Sequence, residues 1–284
     1  MHQAPKWPSA STVVVGVIGN PIAHSLSPLL HQAAFEALGL DWVSLGFEVG
    51  PSALGDAVSG IRGLKIRGVS VTMPHKESVM ALLDRISPLA KALGSVNCIT
   101  NDSGVLEGDT TDGPGFIEAL AHGADFDPMG KSCVVLGAGG AARAVAAALG
   151  VAGARDVAVV NRSPGPAARA AAIAGPAGRV GRASDALGAD LVVQATSVGM
   201  AGTESAGRLV IEPELLGPGQ LVVDLVYHPV TTALIDAANR RGARTMSGVG
   251  MLVHQAALAI ERWTGLQAPL GAMWEAAAAA VGAG

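Results

Sequence analysis

Ser132-Cys133-Val134-Val135-Leu136-Gly137-Ala138-Gly139-Gly140-Ala141-Ala142 stands near the middle of the chain, and its reading decides the fold. The run 132–136 is apolar and rich in Val, which predicts a buried strand. The Ala-rich stretch from Ala141 to Leu149 predicts a helix. Strand, tight glycine turn and helix together form the context in which such glycines let the backbone approach a dinucleotide pyrophosphate at a helix N-terminus. The central position leaves well over a hundred residues upstream, where a substrate is expected to be held.

Downstream, strands are expected at 156–160, 190–194 and 221–226, with Ala-rich helices between them. The Pro/Gly/Ala-rich stretches 163–178 and 201–219 read as surface turns and short loops. Asn161-Arg162-Ser163 closes the second of these strands. A fold that binds NAD usually presents Asp or Glu at this point, for the ribose 2′-OH. Here an arginine stands instead, which suits a 2′-phosphate and favours NADP; the plainer reading is a surface arginine after a strand. Tyr227, the only Tyr, follows Asp224-Leu225-Val226 at a carboxyl strand end, where ligands bind in open α/β sheets. From Gly248 to Thr264 the period is helical, and this segment is expected to pack back on the first domain. Gln255 falls on its apolar stripe, either completing a buried hydrogen bond or pointing into a cleft.

Upstream, apolar runs at 13–19, 42–49 and 68–72 alternate with helix signals at 27–38, to about 61, and from Pro74 to Leu83, as in βαβ units. A strand pair is expected at 96–100 and 104–106, turning at Asn101-Asp102-Ser103-Gly104. The boundaries implied are 1–113 for a substrate domain, 114–245 for a nucleotide domain and 246–284 for C-terminal helices, with hinges near Gly113–Pro114 and 242–248. Ser27-Pro28 reads as an N-cap and N1 pair. Ser25 and Ser27 then either hold a carboxylate at that helix start, or Ser27 only caps and Ser25 faces solvent. Lys76, in the first turn of the helix expected from Pro74, faces the positive end of a dipole that disfavours its ammonium form. The plainer reading is an exposed lysine. Asp112, in the turn Gly108-Asp109-Thr110-Thr111-Asp112-Gly113, is its candidate partner or else an Asx-turn residue. Asn97 is unusual for a strand.

A net charge of -4 without a long basic run argues against a nucleic-acid partner. No cationic-then-apolar leader or long apolar stretch appears, so a cytoplasmic protein off the membrane is expected. Two cysteines, Cys98 and Cys133, are too few for a disulfide framework. His2, His24, His31, His75, His122, His228 and His254 show no metal-ligand spacing, so no metal is expected. A nucleophile elbow is also missing.

Together these segments resemble the shikimate dehydrogenase family over nearly the whole chain. The motifs that carry the resemblance are Ser25-Leu-Ser27-Pro28, Val71-Thr72-Met-Pro74-His-Lys76, Gly94-Ser95-Val96-Asn97 and Thr111-Asp112-Gly113. Further on come Gly137 to Arg143, Asn161-Arg162-Ser163, Ala195-Thr196-Ser197-Val-Gly199-Met200, Gly248-Val-Gly-Met251-Leu-Val-His-Gln255 and Trp263-Thr-Gly265. The resemblance implies an α/β substrate domain, a Rossmann-like NADP domain and a C-terminal helix returning to the former. It implies reversible hydride transfer between NADPH and 3-dehydroshikimate, giving shikimate on the route to chorismate and the aromatic amino acids. By position, Ser25 and Ser27 would bind the substrate carboxylate. Ser70, Thr72, Asn97, Tyr227 and Gln255 would contact or line the rest of the substrate, and Lys76 and Asp112 would handle the hydroxyl proton. Gly137, Gly139, Gly140 and Ala141 would hold the pyrophosphate, and Asn161, Arg162 and Ser163 the 2′-phosphate. Thr196, Leu225, Gly248 and Met251 would lie near the nicotinamide. A monomer or homodimer is expected. The chain departs from the family pattern at Ser70 and Thr110, where Asn is frequent, at Gln194, where Asn is usual, and at Pro166, where a basic residue is common and Arg169 follows a turn later. These departures leave a quinate-acting or NAD-using relative as the alternative. A non-catalytic NADP sensor would be expected to lose the Lys76/Asp112 pair, which is kept.

Overall fold

The computed structural model describes residues 8–282. Backbone contacts divide the chain into two compact units, one running up to Thr111 and resuming at Ala256, the other Asp112–Gln255.

The first unit opens with β1 (Val13–Gly19), α1 (Ser27–Ala37), β2 (Trp42–Glu48), α2 (Leu54–Gly63) and β3 (Gly68–Val71). It continues with β4 (Arg85–Ile86), α3 (Pro88–Leu93), β5 (Cys98–Asp102) and β6 (Val105–Asp109). The sheet order is β2-β1-β3-β5-β6-β4, parallel across β2, β1 and β3 and antiparallel at β3–β5 and β5–β6. One face packs Ile18, Val69, Val71, Ile99 and Leu106 against Val58 and Ile61 of α2 and Ala90 of α3. The β5–β6 turn places Ser103 and Gly104 at φ +53° and +97°, the two positive values of a tight hairpin turn.

The second unit holds α4 (Asp112–Ala124), β7 (Ser132–Leu136), α5 (Gly140–Val151), β8 (Asp156–Val160), α6 (Pro164–Ile173), β9 (Gly178–Val180) and β10 (Leu191–Gln194). It then adds β11 (Leu221–Asp224), α7 (Ala233–Arg240) and β12 (Arg244–Ser247). Its six strands are all parallel in the order β12-β11-β10-β7-β8-β9. Counted from β7 this is 3-2-1-4-5-6, the doubly wound dinucleotide-binding order, with its switch point between β7 and β10. Because both faces are covered, Val134, Val135, Val192, Val193, Val222 and Val223 are all buried, and the strands read as continuous apolar runs.

Helix α8 (Val249–Thr264) starts in the second unit and ends in the first, followed by α9 (Leu270–Gly282), which packs on α1. Trp263 of α8 is buried; its indole N–H donates to the carbonyl of Ile99 over 3.0 Å. A side chain at Gly68 would lie 2.2 Å from that indole nitrogen, so the glycine in β3 is a packing requirement.

Several local expectations change. Residues 74–83 do not form an α-helix: 78–82 make a short 3₁₀ turn, and the carbonyl of Lys76 accepts from the Val96 N–H at 2.8 Å rather than from Met80. Lys76 is therefore not in the first turn of a helix, and the dipole argument for it lapses. The stretch 163–178 is not only loop, since α6 occupies Pro164–Ile173. Its prolines fall in the first turn, where a missing N–H costs no helical bond. In α1 the cap position is Leu26 and Ser27 is the first helical residue, so Ser27 is not the cap. Of the expected hinge positions, Gly113 and Pro114 lie in the first turn of α4, just after the boundary between the two units, and 242–248 span β12 and its flanking turns.

Candidate active site

In the second unit the strand register builds one row. Val160, Leu136, Gln194, Asp224 and Ser247 are successive partners across β8, β7, β10, β11 and β12. The next residue on each strand is Asn161, Gly137, Ala195, Leu225 and Gly248, so candidates separated by over a hundred positions share one sheet edge, the carboxyl edge. Here the backbones crowd. A Cβ on Gly137, whose φ is +121°, would lie 2.9 Å from both the Ala195 carbonyl oxygen and Thr196 Cγ2. One on Gly248 would lie 2.3 Å from the Leu225 carbonyl oxygen. Gly139, by contrast, has nothing within 4 Å of its Cβ position and caps α5, whose first N–H groups include those of Gly140 and Ala141.

These features fit a bound dinucleotide: a glycine cradle at a helix N-terminus, beside an exposed Arg162 with Asn161 and Ser163. The Asn161 amide donates to the Ser163 carbonyl at 3.2 Å, and Ser163 is the cap residue of α6, its hydroxyl not used in capping. Met251 is buried in the core below this edge, alongside Phe116 and Val223.

Two residues behind the edge gave little signal in the sequence. Gln194 accepts from the Thr196 N–H and hydroxyl, both at 2.8 Å, and its amide donates to the Val198 carbonyl at 2.8 Å. The side chain thus folds the loop that carries Thr196, a task its extra methylene relative to Asn allows. Asp224 accepts from Thr232 Oγ1 at 2.6 Å and from the Val226 N–H at 3.0 Å, tying β11 to the cap of α7. Burial pushes its carboxyl up to about 6 against these bonds, and burial also raises the Tyr227 phenol.

In the first unit the hydroxyl- and amide-bearing candidates cluster at the ends of β1, β3 and β5. The Val71 N–H donates to the Asn97 carbonyl at 2.8 Å, and the Thr72 N–H to Ile18 at 2.9 Å. Gly19 makes room for Thr72, whose Cγ2 would be 2.4 Å from a Cβ there. Lys76 is held beside Val96, hence next to Asn97. The Asn97 amide donates to Thr111 Oγ1 at 2.9 Å and its oxygen accepts from the Thr111 N–H at 2.7 Å. This two-way bond fixes the residue immediately before Asp112, itself buried in the first turn of α4. Ser27 is buried, and Ser25, half-buried, accepts from the Ser27 N–H, the first of α1, at 3.3 Å.

Ser70 and Thr110 stand out. Both hydroxyls are buried, and neither has a hydrogen-bond partner among the described residues. A buried unmet hydroxyl costs about 1–3 kcal/mol, so these two, like the Ser95 hydroxyl, are open to a bond from a bound water or a ligand. Gln255, on α8, donates its amide to the Leu252 carbonyl at 2.9 Å. His2 lies outside the described residues, and among those described no helix is long and apolar enough to cross a membrane.

Comparison with known proteins agrees with this arrangement. Residues 17–99 match the family model of the shikimate dehydrogenase substrate binding domain, and 248–278 that of the shikimate 5'-dehydrogenase C-terminal domain. A protein of Moorella thermoacetica named shikimate dehydrogenase (NADP(+)) is 45% identical, covering 96% of this chain and 95% of that protein. One of the same name from Methanopyrus kandleri is also 45% identical, over 94% of this chain and 95% of its own. The crystal structure of shikimate 5-dehydrogenase from Thermus thermophilus in complex with NADP(H) and shikimate superposes with a TM-score of 0.87 at 40% identity, covering 94% of this chain and 99% of that one. With a doubly wound second unit, a hydroxyl-rich first unit and this degree of likeness along almost its full length, the chain belongs to the shikimate dehydrogenase family.

Proposed function

We propose that this protein is an NADP-dependent shikimate dehydrogenase that interconverts shikimate and 3-dehydroshikimate, and that it works in the cytoplasm as a monomer or homodimer on the route to chorismate. The observation that carries the reading is the 45% identity, over 96% of the chain, with a relative of that name. The row of Gly137, Leu225 and Gly248 at one sheet edge supports it.

When bound, the cofactor supplies or accepts a hydride at its nicotinamide ring. The remaining work falls to this chain's residues. Ser25 and Ser27 hold the substrate carboxylate at the start of α1. Ser70, Thr72, Asn97, Tyr227 and Gln255 orient its ring, with the unmet Ser70 hydroxyl gaining its hydrogen bond from the ligand. Lys76 and Asp112 take the hydroxyl proton as the alcohol is oxidised and return it on reduction. Asn97 positions Asp112 through Thr111. Gly137, Gly139, Gly140 and Ala141 hold the pyrophosphate, and Asn161, Arg162 and Ser163 the 2′-phosphate. Thr196, Leu225, Gly248 and Met251 wall the nicotinamide side.

The test is the absorbance of reduced nicotinamide with purified protein and shikimate or quinate, each with NADP or NAD. Turnover chiefly with shikimate and NADP is expected. Turnover chiefly with quinate or NAD would overturn the substrate or cofactor assignment, and none in any pairing would overturn the activity.

A further inference from the structure

Glu118, His122 and His254 have no part in the chemistry above, yet the fold brings them together within the second unit. Glu118 and His122 are one turn apart on α4, and His254 is on α8. One ligand atom from each lies within 4.8 Å of the other two. The two imidazoles stack with centroids 5.1 Å apart and planes 20° from parallel. The helices run close because α4 offers a glycine at the crossing: a Cβ on Gly115 would lie 2.6 Å from the Gln255 nitrogen.

His122 Nδ1 is 2.9 Å from the Glu118 carbonyl oxygen. A carbonyl only accepts, so Nδ1 carries the proton and the neutral ring keeps its lone pair on Nε2. A backbone carbonyl on one ring nitrogen is the arrangement that fixes a metal-ligating histidine in the required tautomer.

The geometry points to a binding site for one divalent transition-metal ion, held by Glu118, His122 and His254, that ties α4 to α8. Two imidazoles and one carboxylate select the Zn²⁺, Co²⁺ and Ni²⁺ class over Mg²⁺ or Ca²⁺, which prefer all-oxygen sets. Metal–nitrogen bonds of about 2.0–2.1 Å put neighbouring ligand atoms roughly 3.3 Å apart in a tetrahedral site. Glu118 Oε2 lies 3.5 Å from His122 Nδ1, so closing to that spacing on Nε2 requires the exposed Glu118 and His122 side chains to turn out of the present stack toward His254. Three protein ligands leave a position for water, so the ion exchanges with solvent. The spacing in the sequence gave no sign of this set because it joins two helices far apart in the chain. Its consequence lies in what those helices carry, Asp112 at the start of α4 and Met251 and Gln255 on α8.

The test uses the full chain, freed of any histidine tag and stripped with a chelator, then titrated with Co²⁺ and followed by visible absorption. Zn²⁺ is titrated in parallel by calorimetry. Ligand-field bands saturating at one equivalent are expected, with His122→Ala and Glu118→Gln each weakening binding by roughly tenfold or more. Both variants change exposed side chains, so the fold survives the test. No saturable Co²⁺ bands and no Zn²⁺ heat in the parent protein, or binding unchanged in both variants, would overturn the proposal.

Discussion

Ser70 separates a binding role from a structural one. Its hydroxyl is buried and unmet, so Ser70→Ala removes a cost and should leave stability unchanged or raise it by about 1 kcal/mol. If that hydroxyl bonds the substrate, the same change should raise the KM for shikimate severalfold with little effect on the KM for NADP. Urea unfolding and steady-state kinetics on one preparation check both halves, and an unchanged KM would remove Ser70 from the pocket. Gly248 makes the opposite case. Gly248→Ala drives a methyl to 2.3 Å from the Leu225 carbonyl oxygen, so the β11–β12 edge must shift. Loss of about 1–3 kcal/mol, with weaker NADP binding by fluorescence titration, is expected. These residue types were visible in the sequence as motif members, but their reasons were not. Nothing in the order of residues reveals that Gly248 faces Leu225, which depends on strands lying side by side, and the side-chain bonds by which Gln194 folds its own loop have no pattern in the sequence.

The elements show where the sequence spoke clearly and where it did not. Long apolar strands and Ala-rich helices such as β7 and α5 were legible from periodicity. The run after Pro74 has helix-like composition, but the carbonyl of Lys76 is captured by Val96, a tertiary bond that no local signal announces. Helix α6 hides behind Pro164-Gly165-Pro166, loop-like residues that a first turn accommodates. Strand β12 is short and half exposed, so its pattern is faint. The link from β11 to α7 through Asp224 and Thr232 carries a pH signature. The Asp224 carboxyl titrates near 6 in the fold against 3.8 unfolded, so the folded state holds the extra proton between these values and its contribution to stability falls as pH rises through them. His31, buried on the inner face of α1 and hydrogen-bonded with Ser44 at 2.9 Å, titrates near 3 against 6.5. Burial keeps it neutral, so its contribution is complete above 6.5 and lost as pH falls toward 3. From pH 6 to about 4 the two slopes, each about 1.4 kcal/mol per pH unit, oppose one another. Asp224→Asn keeps an acceptor for Val226 and a partner for Thr232 while removing the titration. Its stability should therefore fall more steeply than the parent's on acidification from pH 6 to 4, measured by urea unfolding at stepped pH. Parallel curves would show that Asp224 does not titrate in this range.

At the scale of the whole molecule, the central glycine cradle foretold a nucleotide unit preceded by a substrate unit, and the order of motifs foretold the family. The division of labour follows from topology. A parallel 3-2-1-4-5-6 sheet leaves a crevice at its switch point for a dinucleotide, while the mixed sheet of the first unit gathers Thr72, Lys76 and Asn97 at neighbouring strand ends. What stayed hidden is what depends on side chains meeting across elements: the bond from Asn97 to Thr111, the unmet Ser70 and Thr110, and the His122–His254 stack. The account turns on Lys76, which must move a proton rather than merely sit in a loop. The measurement that tests it most directly is the turnover of shikimate with NADP by Lys76→Ala, beside its affinity for NADP by titration. The account predicts a fall in kcat of about 10²-fold or more with NADP affinity unchanged. A kcat within about twofold of the parent protein would contradict it.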